Sequence, residues 1–413
     1  MVPDGWSKRT LSELLGKIID YRGISVPKAE VGVPLITAKN IRFGFLDFSE
    51  QEYIQEDLYN DWISRGIPTG EDILFTTEAP LGNACRYPKT GKYAIGQRTV
   101  CLRVNSLLES EYLLQYLLST YGQRQIDMRS TGSTAKGIKS SELQKIDILY
   151  PQSIKEQKKI ATVLSTWDQA ISMAEKLLDN SKQKKYILRQ KILTSKKRLQ
   201  NFKKEWTSIR LENIFLRVTD KNSIANTNIL TISAQHGLIR QEDFFNKTVA
   251  SEILDNYYLL KKGQFAYNKS YSNGYPMGAI KRLNKYEKGV VTTLYICFEI
   301  KNKKSSDPEF FEHYFEAGLL NRGLSKVANE GGRAHGLLNV KASDFFGLTV
   351  FVPEVTEQKE IAQVLTAADK EIQTLQAKLI CLKQEKKALM QQLLTGKRRV
   401  KVDAVEARAD EQQ

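Results

Sequence analysis

The chain of 413 residues is poor in the residues that build a disulfide framework or a metal site. It has four cysteines and three histidines, and none of them stands at a metal-ligand spacing. No apolar run approaches the roughly 18 residues that a membrane span needs, and no signal peptide is recognisable. We therefore expect a cytoplasmic protein with reduced thiols, no metal site and no membrane contact.

Catalytic motifs are also missing. Residues 132–137 have the glycine spacing of a phosphate-binding loop, but Ile138 and Lys139 follow where lysine and then serine or threonine are needed. Glu156 and Glu357 mimic the end of a nuclease carboxylate motif, yet no Pro-Asp pair precedes them, and an acid at a helix start is explained by the helix dipole. There is no glycine-rich dinucleotide or S-adenosylmethionine loop and no Asn-Pro-Pro-aromatic motif. The sequence thus indicates a chain that is not an enzyme and binds no cofactor itself.

The chain does contain one long segment twice. Glu156-Gln-Lys-Lys-Ile-Ala161 returns as Glu357-Gln-Lys-Glu-Ile-Ala362, and 19 of the 43 positions from 156 to 198 are identical at an offset of 201. The apolar residues in both copies recur in alternating steps of four and three, which is typical of a coiled-coil seam. Lys185 and Lys386 interrupt the seam at the same register. We expect two long helices that pack on each other.

The segments before the two helices also correspond, although more faintly, so the order is module, helix, module, helix. Apolar runs bounded by Gly, Pro and Asn predict strands at Val33–Ile36, Asp72–Thr76, Thr99–Val104 and Val290–Ile300. Helices are predicted at Glu111–Arg124 and Pro308–Asn321. The predicted fold is mixed α+β, with two pseudo-symmetric α/β modules separated by two long conserved helices that form an antiparallel coiled coil. If a pseudo-two-fold axis relates the halves, the chain termini lie near each other.

The positive charge is concentrated in the helices rather than in the modules. The whole chain carries +15, of which residues 156–204 contribute +9 and residues 357–401 contribute +5. A charged helix is commonly only a solvated helix, but these basic clusters would also suit a polyanion or an acidic partner.

Polar and aromatic side chains stand beside glycine turns at equivalent points of the two modules. Arg, Lys, Asn and Gln form paired hydrogen bonds with guanine and adenine edges in the major groove, so these segments are candidate DNA-reading loops. Each segment alone could be an ordinary surface loop. The candidates are Lys39, Asn40, Arg42, Thr76, Gln97, Arg98 and Lys136 in the first module, and Gln235, His236, Asn268, Lys269, Tyr271, Arg333 and His335 in the second.

With these motifs the chain resembles the specificity subunits of type I restriction-modification systems, over essentially its whole length. The Glu-Gln-x-x-Ile-Ala helix starts carry the resemblance, together with a Val-Leu-x-x-x-Asp continuation and a Leu-Leu-Thr-Gly-Lys close. These last two motifs stand at residues 163–168, 364–369 and 393–397. The first copy closes less typically, as Ile192-Leu193-Thr194-Ser195-Lys196.

The resemblance implies a division of labour along the chain. The implied parts are a first target recognition domain (1–155), a first conserved spacer helix (156–200), a second target recognition domain (201–356), a second conserved spacer helix (357–400) and a polar C-terminal tail (401–413). The chain would read a bipartite, asymmetric double-stranded DNA target. It would dock two modification subunits, which are adenine methyltransferases, and restriction subunits, which are nuclease-translocases. S-adenosylmethionine, ATP and Mg²⁺ would be bound by those partners.

Two other functions are open to the sequence. A coiled-coil assembly scaffold without DNA sequence specificity explains the helices but gives no reason for two diverged sets of polar loops. A stand-alone nuclease or methyltransferase is opposed by the missing motifs.

Overall fold

The chain forms two compact units. A computed structural model describes residues 2–21, 26–133, 136–245, 254–328 and 338–402. One unit joins residues 1–176 to the segment that begins at residue 377, and the other comprises residues 177–376. Because both boundaries fall inside long helices, each unit contains one mixed α/β module and a part of each long helix.

The first module is built around two four-stranded sheets, ordered β2-β9-β6-β7 and β3-β5-β4-β8, and an antiparallel pair of β1 with β10. Its strands are β1 (Trp6–Thr10), β2 (Leu15–Asp20), β3 (Lys28–Ala29), β4 (Val33–Ile36), β5 (Glu52–Ile54), β6 (Ile73–Thr76), β7 (Ala84–Arg86), β8 (Ala94–Ile95), β9 (Thr99–Val104) and β10 (Asp147–Pro151). Its helices are α1 (Leu11–Leu14), α2 (Tyr59–Trp62), α3 (Ser110–Leu118), α4 (Thr120–Met128) and α5 (Ser140–Leu143), with a 3-10 turn at Ile63–Arg65. The first long helix, α6 (Ile154–Ile192), follows.

The second module repeats the main sheet in the order β12-β19-β16-β17, and β11 pairs with β20 as β1 does with β10. Its strands are β11 (Thr207–Arg210), β12 (Phe215–Val218), β13 (Leu230–Ser233), β14 (Gly237–Arg240), β15 (Tyr258–Lys261), β16 (Phe265–Asn268), β17 (Ala279–Arg282), β18 (Lys288–Val291), β19 (Ile296–Ile300) and β20 (Thr349–Val352). Its helices are α7 (Leu211–Ile214), α8 (Gln241–Phe245), α9 (Pro308–Glu316), α10 (Asn321–Val327) and α11 (Ala342–Phe346), and the second long helix is α12 (Val355–Leu393).

Several predicted elements are shorter than expected. The strands at Val33–Ile36 and Thr99–Val104 are confirmed, but the run 290–300 is divided between β18 and β19. A turn separates them, in which Tyr295 N donates to Thr292 O at 3.2 Å. The helix predicted at 111–124 is two helices, because Ser119 ends α3 and its hydroxyl accepts from Gly122 N to cap α4. The helix predicted at 308–321 likewise ends at Glu316, before Gly318 at φ +70°.

The long helices pack antiparallel within each unit, as predicted. The seam lysines do not remain unpaired, because each meets an aspartate of the opposite helix. In the first unit Lys386 Nζ lies 2.5 Å from Asp168 Oδ1. In the second unit Lys185 pairs with Asp369. The offset of 201 relates the two pairs. The lysine that interrupts the apolar seam in each long helix therefore belongs to an ion pair that is repeated in both units.

The Glu-Gln-x-x-Ile-Ala motif attaches each helix to the module before it. Gln157 is fully buried; its Oε1 accepts from Glu109 N at 2.7 Å and its Nε2 donates to Pro151 O at 2.9 Å. Gln358 repeats both contacts, with Asp307 N at 2.9 Å and Pro353 O at 2.8 Å. Glu109 and Asp307 cap α3 and α9, so each glutamine fixes a helix of the module to a long helix.

The glutamate of the same motif has a buried carboxylate that forms an ion pair with an arginine in each unit. Arg399 donates through Nε and Nη2 to Glu156 at 2.6 and 2.7 Å. Arg198 donates in the same way to Glu357 at 2.8 and 2.6 Å. Ile160, Leu164 and Leu393 enter the core of the first module, and the corresponding residues of the repeat enter the core of the second. Arg198 and Arg399 follow the two helices and belong to the basic clusters seen in the sequence, but their pairing with these glutamates was not predicted, although the offset of 201 relates them too.

Candidate nucleic-acid interface

In the first module the candidate segments meet where β6 ends. The Thr76 side chain is fully buried, and its hydroxyl accepts from Asn83 N at 2.9 Å. Asn83 Nδ2 in turn donates to Ile41 O at 2.9 Å. Thr76 therefore holds two loops together instead of facing outward.

The loop after β4 carries three of the candidates, which have different surroundings. Asn40 is buried, with its Oδ1 accepting from Thr37 N at 2.9 Å and its Nδ2 donating to the carbonyl oxygens of Asp47 and Glu50 at 3.0 and 2.8 Å. Lys39 is exposed, 4.0 Å from Glu50 Oε2. Arg42 is also exposed, and its Nη2 lies 3.1 Å from Asp47 Oδ2. The hydrogen bond from Ser49 N, followed by that from Arg42, lowers the pKa of the Asp47 carboxyl.

The remaining first-module candidates surround Thr77. Its N–H donates to Arg98 O at 3.0 Å, and its own carbonyl accepts from Ile138 N at 2.9 Å. Arg98 is exposed and pairs with Glu78 at 3.0 Å. Lys136 pairs with Asp127, and Gln97 is half-buried. The structure thus brings the candidate segments of the first module together and places an acid beside each of the exposed candidates Lys39, Arg42, Arg98 and Lys136.

In the second module the candidates lie on two turns. Gln235 and His236 are exposed in the turn between β13 and β14, where His236 N donates to Ser233 Oγ at 3.2 Å. Asn268 ends β16, the counterpart of β6, and its Oδ1 accepts from Ser270 N at 3.0 Å.

Lys269 and Tyr271 follow Asn268. Lys269 is half-buried, and Tyr271 is 64% exposed. Arg333 and His335 lie outside the described residues.

Three partly buried polar side chains support the loop that carries Tyr271. Lys281 Nζ, on β17, donates to Glu316 Oε2 at 2.5 Å and to the Tyr275 hydroxyl at 3.0 Å. The Tyr275 hydroxyl also donates to Glu316. Burial, followed by the hydrogen bond to the Glu316 carboxylate, raises the pKa of Tyr275. The hydroxyl therefore stays protonated and continues to donate.

Within the described ranges, no group of three or more His, Cys, Asp and Glu side chains could hold a metal ion. No helix in those ranges is long and apolar enough to cross a membrane.

The comparisons with known proteins agree with one another. Residues 3–183 match the profile of the type I restriction modification DNA specificity domain. A protein named as the type I restriction enzyme MjaX specificity subunit of Methanocaldococcus jannaschii is 23% identical over 97% of this chain and 95% of its own length. The chain is thus similar, over nearly its whole length, to the specificity subunits of type I restriction-modification systems, and the resemblance read from the sequence is confirmed.

Further relatives support the family and the fold. The MjaIX specificity subunit of the same organism is 29% identical over 45% of this chain and 42% of its own length. The crystal structure of the S subunit from M. genitalium aligns with a TM-score of 0.59 at 15% identity, covering 97% of both chains. A chain from a structural account of complex assembly in the type I system aligns with a TM-score of 0.53 at 13% identity, over 95% of this chain and 98% of that one. The chain therefore has the mixed α/β fold with long helices that the sequence predicted.

Proposed function

We propose that the chain is a non-catalytic specificity subunit that reads an asymmetric, bipartite double-stranded DNA target, with one half-site for residues 1–155 and the other for 201–356. The observation that carries the proposal is that β6 and β16 hold the same place in matching sheets but end in unlike loops. Arg98 and Glu78 flank the first loop, whereas Asn268 and Lys269 form the second. Different side chains at the same place of a repeated sheet suit two different half-sites. The coiled-coil scaffold without DNA specificity is not favoured.

The proposal extends to the partners. Residues 156–200 and 357–400 would be the spacers and the docking surfaces for two modification subunits, one for each repeat, with restriction subunits joining the complex. The repeated contacts of Gln157 and Gln358 support two equivalent docking positions. Adenine methylation with S-adenosylmethionine, and ATP- and Mg²⁺-dependent restriction, would belong to those subunits. We place the complex in the cytoplasm, which the free thiols of all four cysteines support.

The burial of each side chain divides the candidates into two groups. Asn40 and Thr76 are buried and satisfied within the loops, so we assign them the role of holding the reading surface. The accessible candidates are the DNA-contacting set: Lys39, Arg42, Gln97, Arg98, Lys136, Gln235, His236, Asn268, Lys269 and Tyr271. For Lys39, Arg42, Arg98 and Lys136, a DNA contact depends on exchanging the present acidic partner for a base edge or a phosphate.

The test is a set of single alanine variants of the full chain in its modification complex. Its members are Arg42, Gln97, Arg98, Lys136, Gln235, Asn268, Lys269 and Arg333. Binding is measured against the selected target, single-base variants of it and random duplex, at several salt concentrations. A base-reading residue should cost about 1–3 kcal/mol and relax preference at one base pair, while a phosphate contact should weaken all sequences and reduce the salt slope by about one.

Glu212→Gln, on the surface between β11 and β12, serves as the control and should leave both measurements unchanged. If all eight alanine variants bind and discriminate as the unaltered chain does, the reading surface lies elsewhere.

A further inference from the structure

Among the described residues, the loop between β4 and β5 of the first module is much longer than the connection between β13 and β14 of the second. It covers residues 37–51, whereas residues 234–236 suffice to join β13 to β14. At its tip, Arg42 N donates to Phe45 O at 2.9 Å, and Ile41 bridges to Leu46. The two phenylalanines of this tip point away from the module, with Phe43 53% and Phe45 59% exposed.

The tip is firmly held although its aromatic rings are exposed. Ile41 is fully buried, and its carbonyl accepts from Asn83 Nδ2 at 2.9 Å. Gly44 N donates to Ala84 O at 2.9 Å, which ties the tip to β7. These bonds add to those of the buried Asn40 side chain. A loop fixed at so many points presents its apolar rings to solvent in a preorganised geometry.

A third phenylalanine of the loop contacts another aromatic ring of the module. Phe48 stacks on Tyr93 with ring centroids 5.6 Å apart and an interplanar angle of 23°. Among the described residues, no aromatic ring makes such a contact with Phe43 or Phe45. Exposed apolar surface forgoes about 25 cal/mol for each Å² that a partner could cover. Phe43 and Phe45 therefore suit an external partner.

The surroundings of the tip indicate that this partner is DNA. The tip belongs to the surface that holds Arg42 and, through Asn83, the end of β6. Arg and Gln side chains distinguish base pairs in the major groove, and the apolar group exposed in that groove is the C5-methyl of thymine. We propose that Phe43 and Phe45 contact thymine methyl groups in the half-site read by the first module. This inference rests on the proposed function and adds two specificity-determining residues to it.

The test removes the methyl group without changing any hydrogen-bonding group of the base. The full chain in its modification complex is titrated with duplexes of the selected target in which each thymine is replaced, one at a time, by deoxyuridine. We expect about threefold to fivefold weaker binding at one or two thymines, all within one half-site, since one buried methyl is worth about 0.8 kcal/mol.

The same duplexes are then titrated with the Phe43→Ser and Phe45→Ser variants. Each variant should bind the thymine target several-fold more weakly, and one of them should lose no further affinity on the sensitive deoxyuridine duplex. Phe43→Leu and Phe45→Leu should retain part of the sensitivity. Ile67→Ser is the matched control, because Ile67 is 62% exposed in the same module but lies in the segment that leads into β6, whereas Phe43 and Phe45 lie in the loop between β4 and β5. It should behave as the unaltered chain does.

Three results would overturn the inference: no response to any deoxyuridine, a half-site without A·T pairs, or an undiminished response in both serine variants. Tighter binding of the unaltered chain, but of neither serine variant, to a duplex with a mismatched base step would assign the rings to a base-step wedge instead and would also overturn the inference. If the Arg42 and Arg98 alanine variants alter base preference while the phenylalanine variants do not, only this inference fails. If neither group alters base preference, the proposed reading surface itself is wrong.

Discussion

The two units attach their long helices through the same polar contacts, but they differ at one position of the attachment. In the first unit, Gln115 Nε2 donates to Asp168 Oδ2 at 2.9 Å. In the second unit His313 occupies the corresponding place in α9, with its Nε2 3.1 Å from Thr366 Oγ1 and its Nδ1 3.9 Å from Asp369. The glutamine and glutamate of the helix motif are kept, because each satisfies buried groups that would otherwise be unpaired. At the position of Gln115 and His313 the side chain can differ between the units, because either an amide or an imidazole can face the aspartate of the seam ion pair.

We expect the largest difference in stability between the two units when the arginine partner of each buried glutamate is replaced. Arg198→Met leaves the Glu357 carboxylate, 1% exposed, without its partner, and we expect a loss of about 3 kcal/mol in the free energy of unfolding. Arg399→Met should cost less, about 2 kcal/mol, because Arg399 is 48% exposed against 26% for Arg198 and water can reach the site more easily. Urea unfolding combined with hydrogen exchange of α6 and α12 would assign the loss to each unit. Equal losses, or none, would contradict this account.

A smaller difference should appear as a pH dependence of one unit only. Burial lowers the pKa of His313 to about 4, Lys185 and Arg189 act in the same direction, and Asp369 opposes them. Because the unfolded chain binds this proton near pH 6.5 and the folded chain does not, stability is full above pH 6.5. It falls as the pH drops toward 4, by about 2 kcal/mol at pH 5.

His313→Gln, which copies the first unit, should remove this slope, and Gln115→His should introduce one in the first unit. Chemical denaturation of each variant between pH 7 and pH 5 measures the slope. An unchanged slope in His313→Gln would mean that other groups cause it.

The smallest effect concerns the acids that accompany the first reading surface. Glu78→Gln frees Arg98 from an exposed ion pair, and such pairs are worth at most about 1 kcal/mol. We expect binding to random duplex to strengthen about threefold, with less change for the specific target, so that discrimination falls. Glu212→Gln is the control, because Arg210 and Glu212 form a pair of similar exposure outside the candidate loops. Equal gains for random and specific duplex would show that Glu78 does not sharpen discrimination.

Local pattern was enough to predict the repeat, the seam and several strands. The long helices could be predicted because the repeat at an offset of 201 and the apolar spacing of both copies are visible in the sequence. Breaks inside elements were harder to predict. Ser119 caps a new helix only because its hydroxyl meets Gly122 N, and Gly318 takes a positive φ that ends the helical run.

The candidate loops were predictable as segments, but the role of each residue within them was not. Asn40 has the side chain of a base reader, yet the carbonyl oxygens of Asp47 and Glu50 occupy its amide group. Those partners depend on the path of the loop, which no spacing in the sequence encodes. The pairing of Arg42 with Asp47 and of Arg98 with Glu78 was not predicted for the same reason, although both acids stand only a few positions from candidate residues.

The discontinuity of the first unit sets an order of events during protein synthesis. Residues 177–376 form one uninterrupted unit, while residues 1–176 need the segment from 377 onward, including Arg399, whose Nη1 donates to Asp4 O at 2.8 Å. The ribosome therefore delivers every part of the second unit before the last part of the first. Until then Glu156 has no arginine, and the core around Ile160 lacks Leu393 and Leu394. The unit whose synthesis begins first is therefore the last to fold completely, and its core stays incomplete until the segment from residue 377 onward has been synthesised.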